Sequence, residues 1–223
     1  MKYTISTMPI YQKFDGKSYC ALCDIEINTS NQLVNQFLDE SVMEDHVRAK
    51  VNKLGFCKYH FDKLYEGQSK LGLALQSHTR INTIIKAIKP IENVKQAKKQ
   101  AEELTKLTCS CVICEILDDH MNRYEDTLVK MYATEEKFRE LLPKEKSICL
   151  HHYINLLNQS AKAGKYAEEF IKCINKVQVN DLSILSNEIR LFCDRFDYRN
   201  SGKTLGEERL ALPKTRLKLY GKK

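Results

Sequence analysis

Four short hooks of metal-ligand residues recur along this chain: Cys20-x-x-Cys23, Cys57-x-x-His60, Cys111-x-x-Cys114 and Cys149-x-x-His152. Thiolates and imidazoles are the ligands that Zn2+ takes, four at a time in a tetrahedron when the site is structural. The first two hooks are separated by 33 residues and the last two by 34. That spacing reads as one closed Cys3His site per copy: Cys20, Cys23, Cys57 and His60 in the first, Cys111, Cys114, Cys149 and His152 in the second. The expected cofactor is therefore Zn2+, two per chain. Four protein ligands leave no open position for water, which argues against hydrolysis at these metals.

The similarity extends past the ligands. Lys70-Leu71-Gly72 falls ten residues beyond His60, and Lys162-Ala163-Gly164 ten beyond His152; Phe61 and Leu64 match Tyr153 and Leu156. A repeated unit of this size implies two copies of one supersecondary module, each covering the other's apolar face. The expected organisation is a first repeat over 1–100, a second over 101–180, and a C-terminal helix with a basic tail over 181–223 packed on both, with an internal pseudo-two-fold.

The elements that must hold the hooks read as helices. Glycine (8) and proline (4) are scarce in 223 residues, and no strand-like alternation appears. Leu33, Val34, Phe37 and Leu38, continued by Val47, Val51 and Leu54, give a helical stripe that Gly55 closes. Phe61 through Ile88 suggests one long helix that Pro90 stops. Ile113 to Met131 marks another, Thr134 resembles an N-cap before Glu135 and Glu136, and 150–178 and 181–196 read as two more. The chain is thus expected to be all-α, with zinc tying otherwise loose turns such as Lys17 to Cys23 onto helix starts. In zinc-finger peptides such binding supplies roughly 10 to 16 kcal/mol, which becomes folding energy.

Competing assignments are few. His151 adjoins His152, but only His152 repeats the Cys57-to-His60 spacing. Cys109 lies outside the ligand pattern and is a candidate reactive thiol; Cys173 and Cys193 fall in apolar helical patterns and read as core thiols. His46, His78 and His120 are isolated and polar-flanked. No phosphate loop, dinucleotide fingerprint, zinc-protease or serine-hydrolase motif occurs, so the chain leans away from an enzyme. With no apolar leader at Met1 to Pro9 and no run of 18 apolar residues, neither secretion nor a membrane span is expected, and the nine cysteines suit a reducing cytoplasm. The net charge of +7 sits in residues 1–100 and 201–223, while 101–200 is net acidic. This is not one continuous basic stripe, and it does not favour nucleic acid.

Beyond the hooks, Met8-Pro9-Ile10, Met43-Glu44, Val47-Arg48-Ala49-Lys50, Gly55-Phe56-Cys57-Lys58-Tyr59-His60-Phe61 and Phe192-Cys193-Asp194-Arg195-Phe196-Asp197-Tyr198-Arg199 span nearly the whole chain. In these the sequence resembles an uncharacterised family of bacterial proteins, common in low-GC Gram-positive organisms. The resemblance implies paired C-x-x-C and C-x-x-H motifs and an aromatic, charged C-terminal signature, with no activity attached. This chain departs from it with Ser147-Ile148 where Gly-Phe is expected and with His151 where proline is frequent.

Arg195, Tyr198 and Arg199, with Arg48 near the first hook pair, are candidate ligand-binding residues; their alternative role is to lock the tail onto the helices. In the tail, Leu205, Leu210, Leu212, Leu217 and Leu219 are expected to pack on the body. The chain therefore reads as a cytoplasmic binding or regulatory module whose partner is a protein or a small anionic ligand. One alternative is a thiol redox or zinc-responsive sensor, and another a nucleic-acid-binding regulator using the basic tail.

Overall fold

The computed structural model describes residues 7–39, 44–196 and 206–221. Among these there are helices and no strands, as the composition requires. The α-helices are α1 (Thr7–Lys13), α2 (Ala21–Leu38), α3 (Asp45–Leu54), α4 (Lys58–Glu66), α5 (Lys70–Ala87), α6 (Val94–Thr108), α7 (Val112–Thr134), α8 (Glu136–Leu141), α9 (Leu150–Gln159), α10 (Ala167–Asp194) and α11 (Ala211–Tyr220), with short 3-10 turns at Leu142–Lys144, Ser160–Tyr166 and Glu207–Leu210. Among the described residues, no helix is long and apolar enough to cross a membrane.

Residues of the chain gather into two compact units: unit 1 holds 1–27 and 121–223, and unit 2 holds 28–120. The boundaries fall inside α2 and α7, so the units draw their residues differently from a division at 100 and 180. In unit 1, Phe14 and Tyr11 meet Phe138 edge-on, and Tyr132 packs on Phe170 with ring centroids 5.1 Å apart. Ile10, Leu128, Leu142, Leu156 and Ile174 complete a fully buried core. In unit 2 the interior is thinner: Leu33, Val34, Phe37, Val51, Leu64, Leu73, Ile113 and Leu117 are buried, while α6 buries no residue at all.

Several boundaries differ from the periodicity. The stripe running toward Gly55 belongs to two helices, α2 and α3. Gly55 does close α3, at φ 67 with its N–H on the Val51 carbonyl. The long helix expected after Lys58 is broken at Gly67, where a Cβ would lie 2.2 Å from Leu38 Cδ1, so any larger residue there would force the Leu38 side chain to move. Gly164, at φ 58, likewise separates α9 from α10, so α10 runs unbroken through residues 179–180. Thr134 ends α7, its hydroxyl donating to the Lys130 carbonyl, and Glu135 takes the N-cap position instead. Helix α6 was not foreshadowed, because it is polar nearly all round.

The tail docks differently from expectation. Helix α11 packs on α9 and α10, yet Leu210, Leu212 and Leu219 are exposed and Leu205 lies outside the described residues. It is Lys218 that is fully buried. Its Nζ sits 2.6 Å from Asp181 Oδ2 and donates to the Ile148 carbonyl and Gln178 Oε1. A methylene stem with a paired head lets lysine serve as a core residue. Lys214 adds an ion pair to Glu188 at 2.7 Å.

Candidate metal centres

Each of the four hooks stands at a helix N-terminus. Cys20 immediately precedes α2 and Cys111 immediately precedes α7; Cys57 and Cys149 are the N-cap residues of α4 and α9, with extended backbone that turns into the helix after them. Three residues on, the second ligand returns to the same face. The free N–H groups and the positive end of the helix dipole at these positions favour thiolate over thiol. A Zn2+ held by three thiolates and one imidazole would carry one net negative charge, which two helix N-termini in each cluster would offset.

The hooks meet in a nested order. Cys20, Cys23, Cys149 and His152 form cluster 1, within unit 1, and Cys57, His60, Cys111 and Cys114 form cluster 2, within unit 2. In each, one ligand atom from every residue lies within 4.8 Å of all the others. The same eight residues are gathered as the spacing implied, but the first C-x-x-C hook meets the last C-x-x-H hook, and the two middle hooks meet each other. The reading of one self-contained site per copy is therefore corrected: equal intervals along the chain fix where the hooks are, and helix packing decides which of them meet.

A single tetrahedral ion fits these distances. Bonds of about 2.3 Å to sulfur and 2.0 Å to nitrogen give S···S edges of about 3.8 Å and S···N edges of about 3.5 Å. The observed S···S separations are 3.5 Å for Cys23 to Cys149 and 3.7 Å for Cys57 to Cys114. In cluster 1, His152 Nδ1 lies 3.7, 3.5 and 3.1 Å from the sulfurs of Cys20, Cys23 and Cys149. In cluster 2, His60 Nδ1 lies 3.3, 3.4 and 3.3 Å from those of Cys57, Cys111 and Cys114. A disulfide needs about 2.05 Å between sulfurs, and all nine cysteines are free.

The second ring nitrogens have different company. His60 Nε2 is 3.3 Å from Ser30 Oγ, a hydroxyl that can hydrogen-bond the ring and hold its orientation while Nδ1 faces the three sulfurs. His152 Nε2 is buried without a hydrogen bond among the described residues and faces Glu26 Oε2 at 3.9 Å. Glu125, fully buried nearby, accepts from Asn155 and Gln159 at 2.9 and 3.0 Å. Burial acts to lower the His152 pKa, but the Cys20 hydrogen bond and the charges of Cys20, Glu26 and Glu125 hold it above the usual value. Hydrogen bonds from Cys20 and Cys23 bring the Cys149 thiol down to about 4, and the contact with Cys149 pushes Cys23 up. Burial together with Cys111 and Cys57 raises Cys114. Three thiols packed this closely cannot all ionise unaided, and a divalent cation is what removes their mutual repulsion.

The tail reaches cluster 1. A Cβ added at Gly221 would lie 3.5 Å from Cys23 Sγ and 3.9 Å from Cys149 Sγ, and Lys218 grips the carbonyl of Ile148 just before Cys149. His151 is exposed and lies 3.5 Å from the Asn155 amide; it takes no part in the cluster. Cys109 is exposed at the end of α6, Cys173 is half-buried, and Cys193 is exposed rather than in the core. Arg48 is exposed on α3, whereas Arg195 pairs with Glu208 at 2.8 Å, the tail-locking role. Tyr198 and Arg199 lie outside the described residues. Spacing gave no signal for Ser30, Glu26, Glu125 or Lys218.

A family model described as a family of unknown function, DUF6062, matches residues 1–223. A protein from Caldicellulosiruptor sp. (strain Rt8B.4), described as an uncharacterized 23.9 kDa protein in xynA 3'region, is 20% identical over 185 residues, covering 81% of this chain and 84% of that protein. No solved structure matches the chain.

Proposed function

We propose, for a chain that belongs to the DUF6062 family and so carries no assigned activity, that each cluster holds one Zn2+ and that the protein is a two-zinc helical binding or regulatory module. The observation that carries this is the pair of Cys3His groups whose ligand atoms all fall within 4.8 Å, with edge lengths fitting a single tetrahedral ion. All four coordination positions are filled by protein, so the ions would clamp helix starts and leave no place for a reacting water. The repeated order of a C-x-x-C helix, a shorter helix and a C-x-x-H helix supports a duplicated module whose halves exchange hooks. A reducing cytoplasm is the compartment in which so many free thiols would keep a metal.

A second reading, a metal- or redox-responsive sensor, is favoured by one observation: Cys57 and Cys114 are only half-buried. The test is metal analysis of protein purified without added zinc, before and after mild peroxide. Two zinc per chain in both samples supports the structural role. Loss of one equivalent with peroxide supports the sensor. A content near one before treatment, or an iron chromophore, contradicts both.

A further inference from the structure

Unit 2 contains a cavity of about 280 Å3 that the metal cluster does not use. Its wall is mostly apolar, formed by Val51, Leu54, Phe56, Phe61, Ile84 and Leu107 among others, and among the described residues Arg80 on α5 is the one charged residue lining it. Nη1 of Arg80 donates to the carbonyls of Asn52 and Lys53, and Nη2 to that of Leu107. These carbonyls belong to the last turns of α3 and α6, where the helix dipoles are negative, so the guanidinium is held firmly in place. A Cβ at Gly55 would lie 3.0 Å from its Nε, which shows how closely the backbone is moulded around it.

Arg80 nonetheless has no carboxylate partner among the described residues. Three of its five N–H groups are used on backbone carbonyls, and two remain. Burial depresses its pKa, because desolvation disfavours the charged form. A partly desolvated guanidinium at the edge of an apolar space is a site that an anion completes, and a planar carboxylate matches its fork.

We infer that this cavity binds a small amphipathic carboxylate, with the carboxylate on Arg80 and the apolar body against Phe56, Phe61 and Ile84. At about 30 Å3 per water molecule the space matches about nine waters, room enough for a medium alkyl chain or a small ring system. Phe56 and Phe61 flank the Cys57-x-x-His60 hook, so the turn that carries those two ligands also forms part of the wall. The inference stands on the cavity and Arg80 alone and is independent of which ion the clusters hold.

The probe is octanoate, titrated calorimetrically into the full-length protein as purified, with octan-1-ol and octylammonium as controls of equal length. Octanoate is expected to bind saturably at one per chain, octanol about tenfold or more weakly, and octylammonium not at all. Arg80→Gln is expected to abolish the preference for octanoate over octanol. Because Arg80 also caps two helices, Ile84→Phe provides a second variant: it fills the space, keeps the charge, and is expected to block octanoate while circular dichroism stays that of the wild type. Equal binding of octanoate and octanol, no saturable octanoate binding into the millimolar range, or unchanged affinity in a folded Ile84→Phe protein would each overturn the inference.

Discussion

Cluster 1 lies in the interior of unit 1, its four ligands between 0% and 2% exposed, whereas Cys57 and Cys114 leave cluster 2 half open to solvent. Both have the same Cys and His residue types, the same helix starts and a histidine Nδ1 facing three sulfurs. What differs is the covering. Cluster 1 is backed by an aromatic core and approached by the tail at Gly221. Cluster 2 sits in a unit whose α6 buries nothing and whose α5 exposes Leu71, Ile81 and Ile85. The same chemistry thus appears once as part of a hydrophobic core and once as a clasp on a thinly packed unit. Accessibility, and not ligand identity, is what separates an inert structural ion from one open to exchange.

The largest effect that tests this contrast is removal of one ligand from each cluster. Cys149→Ser should release one metal and unfold unit 1, because apparent zinc binding energies of roughly 10 to 16 kcal/mol exceed a domain's net stability of about 5 to 15. Cys57→Ser should also release one metal yet leave the near-ultraviolet signal of the Tyr132 and Phe170 core intact. In the wild type, a chelator added in excess should remove the cluster 2 ion in a fast phase and the cluster 1 ion in a slow one. A single phase would erase the distinction.

Next in size is the lysine that ties the tail over unit 1. Lys218→Ala strands the buried Asp181 carboxylate, which should cost about 3 to 5 kcal/mol. The loss should be visible by urea denaturation, with the cluster 2 metal retained. Asp181 also accepts from Ser147 Oγ at 2.7 Å, so the double variant Lys218→Met with Asp181→Leu should recover much of the loss.

A smaller effect comes from Glu145, buried in unit 1, where Oε1 accepts from the Gly16 N–H at 3.2 Å and Oε2 has no hydrogen bond among the described residues. Burial pushes its pKa up to about 7 from the ordinary carboxylate range. The folded protein therefore holds this proton more tightly than the unfolded chain. Glu145 exacts nothing below about pH 4 and destabilises increasingly as the pH rises toward 7, after which the penalty is constant. Glu145→Gln should thus stabilise by on the order of 1 to 3 kcal/mol at pH 8 and by almost nothing at pH 4, as read from urea midpoints.

The four Cys/His hooks that cluster in the structure stood out in the sequence, because metal-ligating chemistry restricts residue type and a helix start restricts spacing. Their pairing did not. Intervals of 33 and 34 residues look alike whether neighbouring hooks meet or outer hooks close around inner ones, and only helix packing distinguishes the two. Helix type was legible from periodicity, but the breaks at Gly67 and Gly164 were hidden, since apolar residues continue in phase on both sides of each. Gly67 is explained by Leu38, far away along the chain. Lys218 and Arg80 were indistinguishable from solvated lysines and arginines, because what makes them special is a carboxylate or a set of carbonyls supplied by other helices.

The nested pairing is tested most directly by metal content in paired serine variants. Cys20→Ser, Cys57→Ser and Cys149→Ser should each lose one zinc from two per chain. Cys20→Ser combined with Cys149→Ser should still lose only one, because both belong to cluster 1. Cys20→Ser combined with Cys57→Ser should lose both. If the second combination retains one zinc and the first retains none, the hooks close within each copy and the architecture described above is wrong.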